Sequence, residues 1–237
     1  LQYKRQFKNN KKHVLQFSTL GQFFGKELSS EFRNNPILGT IDVPEQQRTE
    51  TDFYEADYTF KLDYTNPVTE RISIETGALY EINDVGNKYT VSDLENGVFV
   101  PDSSLTNDFE YDQQVLGVYL TSAYEQKGWG IKLGLRAEST DLDTYLRTTD
   151  EENDQNYSNL FPTLHASYKF SDMMSVQAGY SRRIFRPRLW DLNPFFNIRN
   201  NFNIRRGNPD LLPEFADSYE LTSLFNFEDF SFNTRVY

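Results

Sequence analysis

Seven arginines, Arg182, Arg183, Arg186, Arg188, Arg199, Arg205 and Arg206, crowd one stretch of a chain whose formal net charge is −11. Guanidinium groups fork onto carboxylates and phosphates, so Arg183, Arg186, Arg188, Arg199, Arg205 and Arg206 are candidate contacts for an anionic ligand. The plainer reading is ion pairing with Asp and Glu on neighbouring elements. Asp150, Glu151, Glu152 and Asp154 supply oxygens that calcium accepts, but the glycine spacing of a calcium loop is missing and a solvated loop explains them. His13 and His165 stand about 150 positions apart, weak ground for a metal site. With no Cys there is no thiolate zinc site, no Cys nucleophile and no disulfide scaffold. Gly-x-Ser-x-Gly, His-Glu-x-x-His and the phosphate loop are absent, so neither catalysis nor a cofactor is expected.

What positions these residues has to come from the rest of the chain. Its 237 residues suffice for one domain, or at most two. The acidic balance argues against nucleic acid, which needs a basic face. No run approaches the roughly 18 apolar residues of a membrane helix, and no signal peptide opens the chain. Aromatics reach 16%, with 20 Phe and 15 Tyr, yet mean hydropathy is −0.67. Polar chains are usually poor in rings, so some structural device must use them.

The dominant period is two. Tyr54, Ala56, Tyr58, Phe60, Leu62 and Tyr64 alternate with Glu55, Asp57, Thr59, Lys61 and Asp63. Trp129, Ile131, Leu133, Leu135 and Ala137 alternate with Gly130, Lys132, Gly134 and Arg136, and Met174, Val176, Ala178 and Tyr180 with Ser175, Gln177 and Gly179. Such runs are strands with one apolar and one wet face. In a soluble sandwich the apolar face meets another sheet; in an outer-membrane barrel it meets lipid, and Glu55, Asp57 and Asp63 become ordinary lumen lining.

Strands are expected near 1–8, 12–32, 51–65, 68–82, 108–125, 129–146, 157–170, 173–186, 217–227 and 230–237. Short turns fall at Asn9-Asn10, Thr65-Asn66-Pro67, Lys127-Gly128, Ser171-Asp172 and Glu228-Asp229, and long polar connections at 33–50, 83–107, 147–156 and 187–216. Short and long connections alternate throughout, the rule for barrels with tight periplasmic turns and long extracellular loops. Tyr64, Tyr124, Trp129, Tyr168, Phe170, Phe227 and Phe230 sit near the short turns, where an aromatic girdle belongs. The fold expected is therefore all-β, an antiparallel transmembrane β-barrel of the outer-membrane type, located in the bacterial outer membrane. Residues 1–237 read as a partial barrel domain of about ten strands. Both chain ends fall on the extracellular side, and Tyr237 has the wrong face parity for a barrel's terminal aromatic.

Residues 179–214 read GYSRRIFRPRLWDLNPFFNIRNNFNIRRGNPDLLPE. The run resembles the β-barrel of Bacteroidetes TonB-dependent receptor-like outer-membrane proteins at Tyr180, Ser181, Arg182, Arg186, Pro187, Leu192, Asn193, Pro194, Gly207, Asn208, Pro209, Leu212, Pro213 and Glu214. Phe161-Pro162 and Tyr219-Glu220-Leu221 also fit. The resemblance implies a barrel of about 22 strands enclosing a plug, here outside the chain, and TonB-driven uptake of a scarce ligand such as an iron chelate, glycan or peptide. It implies outer-membrane lipid and lipopolysaccharide as surroundings, plug and TonB as partners, and a possible surface lipoprotein. Lipopolysaccharide phosphates and plug carboxylates then join the candidate partners of the arginines. Two alternatives remain: a non-transporting barrel serving a structural or secretion complex, and a soluble secreted β-sandwich binding glycans. In the Gly207-Asn208-Pro209 turn, Gly supplies a positive φ and Pro keeps Asn208 extended; Pro213 delays the next strand to about Ser218.

Overall fold

The computed structural model describes residues 1–7, 10–35, 44–194, 197–200, 203–205, 207–227 and 229–237, with side chains for all but 197–200 and 203–205. The elements are β1 (Gln2–Phe7), β2 (Asn10–Arg33), β3 (Gln46–Pro67), β4 (Ile72–Glu95), β5 (Val98–Pro101), β6 (Asn107–Gln126), β7 (Trp129–Leu146), β8 (Glu151–Lys169), β9 (Met174–Phe185), the helical turn α1 (Leu189–Leu192), β10 (Asn197–Asn200), β11 (Asn203–Arg205), β12 (Glu214–Asn226) and β13 (Ser231–Val236).

One 11-stranded sheet runs β1-β2-β3-β4-β6-β7-β8-β9-β12-β13, with β5 paired to the far end of β4; β10 and β11 pair separately. Every neighbouring pair is antiparallel. Among the described residues β1 and β13 do not pair with each other. A sequential meander of this kind is how an up-and-down barrel wall is built.

Cross-strand register explains the period of two. Phe17, Leu62, Ala78, Val118, Ala137 and Leu160 stand side by side on the outer face. That face is uncovered: Val118 is 51% and Leu160 59% exposed. A sandwich would bury this face under a second sheet; among the described residues none covers it. Lys61, Leu79, Gly117, Glu138 and Asn159 form the matching row on the inner face.

The outer apolar band runs about ten residues from the short turns, enough to cross a bilayer. Above it the faces exchange character. On β7 the outer row passes from Trp129, Ile131, Leu133 and Leu135 to Ser139, Asp141 and Asp143. The inner row passes from Lys132, Arg136 and Glu138 to buried Leu142 and Leu146. Where lipid gives way to water outside, a dry core forms inside from Val85, Phe109, Tyr111, Leu142, Leu146, Leu189 and Leu192, with Phe53 against it. Each such side chain contributes about 1.5–3 kcal/mol when fully buried.

That exchange corrects several boundaries. The expected 83–107 connection is mostly sheet: β4 continues to Glu95, turns at Asn96-Gly97 with φ of 49° and 83°, and returns as β5. Alternation read from the bilayer segment fails there because the apolar residues change sides. The 147–156 connection shrinks to residues 147–150, so short and long connections do not alternate strictly. β3 starts at Gln46 and continues to Pro67, placing its turn at residues 68–71. β12 begins at Glu214, directly after Pro213, because Glu214 already pairs with Phe185. Asn9 and Glu228, each half of an expected turn, lie outside the described residues.

Candidate functional site

The described residues 186–194 and 207–213 fold back as a strap onto the inner face of the upper sheet. It starts where β9 ends. Arg186 Nη2 donates to Glu138 Oε2 at 2.7 Å and to Thr140 Oγ1 at 3.0 Å. Pro187 is buried. Leu189 and Leu192 then enter the dry core, which is why a four-residue helix survives there. The Arg188 N–H donates to the Asp191 carboxylate at 3.1 Å and caps that turn. Asn107 Nδ2 on β6 donates to Asn193 Oδ1 at 3.1 Å, and Pro194 follows, half-buried.

The strap closes on itself at Gly207. Its N–H donates to the Asn193 carbonyl at 2.8 Å, and the Asn208 N–H to the Asp191 carbonyl at 2.7 Å. A Cβ on Gly207 would stand 2.6 Å from both carbonyl oxygens. Close approach, not a positive φ, is what demands glycine here; among the described glycines only Gly97 and Gly128 have positive φ. The Pro209 carbonyl accepts from Asn153 Nδ2 at 2.8 Å and Gln155 Nε2 at 3.1 Å, both on β8. Leu212 is exposed, and Glu214 opens β12. Glu138, Thr140, Asn107, Asn153 and Gln155 carried no local signal in the sequence, because their partners lie 46 to 86 positions away.

The arginines do not converge. Arg182 faces outward opposite Asp217, its guanidinium 4.9 Å over the Phe215 ring. Arg183, one residue on, faces inward. Arg186 is held by Glu138, and Arg188 lies 6.0 Å from the Phe185 ring centroid. The side chains of Arg199 and Arg205, and Arg206 altogether, lie outside the described residues. Tyr180 pairs with Tyr219 on the outer face, and its hydroxyl donates to Asp217 at 2.9 Å. Ser181 turns inward, opposite Thr163 and Ser218.

The aromatic residues near the short turns group in contacts. Trp129 and Tyr168 have centroids 4.4 Å apart, Tyr168 and Phe170 4.6 Å, and Phe227 and Phe230 4.6 Å. Tyr64 shares a hydrogen bond of 2.8 Å with His13, so His13 belongs to this outer ring and not to the polar face. Tyr124 bonds to Gln126. His165 faces the lumen, laid across Gly179.

Outside the bilayer, Asp84, Asp112, Asp143 and Asp154 stand on four adjacent strands in one outer row. Partial burial, then repulsion from Asp112, Asp154 and Asp141, holds the Asp143 carboxyl above the usual range. Burial also pushes the Tyr111 phenol up, keeping it neutral in the inner core.

A sequential antiparallel sheet with a bilayer-height outer apolar band, a charged lumen face and a strapped upper vestibule defines an outer-membrane β-barrel wall. Residues 5–237 match the family described as "Outer membrane protein beta-barrel family", and the chain belongs to that family of the outer membrane. No curated protein sequence matches it. Among solved structures it is similar to the ferric citrate transporter FecA in its unliganded form (TM-score 0.59, 13% identity, 94% of this chain and 31% of that one). It is also similar to the copper transporter OprC (TM-score 0.57, 12% identity, 91% and 37%) and to the ferric yersiniabactin uptake receptor FyuA from Yersinia pestis (TM-score 0.54, 11% identity, 94% and 35%). At these identities the likeness concerns the fold, and the chain spans about a third of each of those proteins.

Proposed function

We propose that this chain is the barrel wall of a TonB-dependent receptor of the Bacteroidetes type, which takes up a scarce ligand such as an iron chelate, glycan or peptide. The observation that carries the reading is the fold neighbourhood: the sheet matches, over 91% or more of its length, proteins described as transporters or uptake receptors. The inner wall supports it. A charged lumen face and a strap pinned at the vestibule level suit a passage. In this reading a plug fills the lumen, TonB supplies energy, and the barrel has about 22 strands. Lipopolysaccharide surrounds the outer wall, and a surface lipoprotein is a candidate capping partner.

The test is uptake in cells. A strain lacking the full-length gene is compared with wild type on labelled iron chelates, glycans, peptides and cobalamin, with and without the proton-motive force. Loss of one uptake activity, restored by the gene and abolished by an uncoupler, supports the reading. Unchanged uptake of every ligand, or a full-length gene without plug and TonB-contact segment, overturns it in favour of a structural or secretion-complex barrel.

A further inference from the structure

Below the strap, the inner wall contains a trough of about 640 Å³. Its floor is unusually bare, because β6, β7 and β9 each present an inward glycine there: Gly117, Gly134 and Gly179. Side chains from the adjacent strand lie across all three, Glu138 over Gly117 among them. Thr163 covers Gly134 and His165 covers Gly179. The result is a trough whose floor lies low between Tyr119 and Phe161 and carries the Thr163 and Ser181 hydroxyls.

The charge around this floor is the reverse of the chain's. Lys61, Arg136 and Arg183 line it, with Glu220 as the carboxylate at the rim. Lys61 is paired with Asp63 at 3.1 Å. Arg136 reaches Glu138 at 3.0 Å, but Glu138 is also taken by Arg186 at 2.7 Å. One carboxylate thus answers two guanidiniums, leaving a local positive excess. Arg183 is paired through its backbone with Ala216, while its side chain has no ion-pair or hydrogen-bond partner among the described residues. A guanidinium beside hydroxyl donors, in a wall with uncompensated positive charge, is a carboxylate- or phosphate-binding arrangement.

We propose that this trough binds the anionic group of a ligand, a carboxylate or a phosphate, with Arg183 as the principal contact, Arg136 and Lys61 flanking it, and the Thr163 and Ser181 hydroxyls donating beside them. The proposal rests on the uptake reading for its biological meaning, since it puts an anion station on the lumen wall below the vestibule. It assigns no binding role to Arg182, which faces outward, or to Arg186, which is already held by Glu138.

The test uses the intact full-length protein purified in detergent, with citrate and inorganic phosphate as probes in calorimetric titrations. Citrate or phosphate is expected to bind saturably, and more weakly as salt rises. Arg183→Gln raises Kd about tenfold or more, and Arg183→Lys recovers part of the loss. Arg188→Gln, outside the trough, leaves Kd unchanged. All three variants must keep the wild-type shift between heated and unheated bands on a gel, which reports a folded barrel. Absence of saturable binding to wild type, or an unchanged Kd in Arg183→Gln, overturns the proposal. So does an Arg183→Gln variant that melts earlier yet binds as before, which would assign Arg183 to a carboxylate of the protein itself. Binding in detergent needs no energy source. Intact, Arg183-dependent binding with no uptake in cells would therefore sink the uptake reading and leave the anion site standing.

Discussion

Arg186 and Glu138 meet at 2.7 Å on the inner wall although they lie 48 positions apart, and the Glu138 side chain is only 5% exposed. The pair joins the strap to β7. Glu138 keeps a second partner in Arg136, but Arg186 also holds Thr140 and is the strap's first anchor. Removing the guanidinium with Arg186→Met leaves a buried carboxylate half compensated. The expected loss is about 2–3 kcal/mol in unfolding experiments, below the 3–5 kcal/mol of a fully orphaned charge because Arg136 remains. Glu138→Gln combined with Arg186→Met recovers part of it. An Arg186→Met variant as stable as wild type would show that the pair does not anchor the strap.

Gly207→Ala tests the other end of the strap. The added methyl meets two backbone carbonyl oxygens, which cannot rotate away as side chains do. The clasp from Gly207 and Asn208 to Asn193 and Asp191 has to open, at a cost of about 1–3 kcal/mol. Limited proteolysis is expected to cut between 186 and 213 while the sheet's melting changes little. Equal protease resistance of mutant and wild type would refute the clasp.

The exchange of faces along β7 predicts opposite responses to one kind of substitution. Leu135→Arg puts a charge in the lipid band and costs about 2–4 kcal/mol in folding into bilayers. Asp141→Arg, on the same face but above the band, is expected to cost little, because it gives up the hydrogen bond from Asn156 but removes one of the charges that repel Asp143. Equal penalties at both positions would place the bilayer boundary elsewhere.

Asp143 gives a pH signature. Its carboxyl is held above its unfolded range, so ionisation favours the unfolded state. The penalty is complete above the folded pKa and disappears as pH falls below the unfolded value. Asp143→Asn should therefore stabilise at neutral pH by a few tenths of a kcal/mol, about the value of a screened surface contact. The gain should vanish below about pH 4. Unfolding midpoints of both proteins from pH 4 to 8 check this; a gain that grows on acidification would contradict it.

The alternation at 54–64 and 129–137 was legible because the bilayer imposes one period on one face over about ten residues. It announced the antiparallel barrel wall with one apolar and one polar face. The same rule misled at 83–107, where Asp84 follows Ile82 on the outer face and Val85 becomes core on the inner one. No window read along one strand shows that exchange, because its cause is the solvent outside and the strap inside.

The sequence alone determined the class of wall: antiparallel strands with a lipid face and a wet face, the short-turn rings, and a 179–214 run with a family resemblance. Only the tertiary structure decided what that run does. It separated Arg182 from Arg183 by strand parity and gave Arg186 to Glu138. It required Gly207 for the approach of two carbonyls. Local period follows from the nearest neighbours along the chain, whereas these contacts depend on register across strands and on a fold-back of the chain, which brings Arg186 to Glu138 from 48 positions away and Gly207 back onto Asn193 and Asp191.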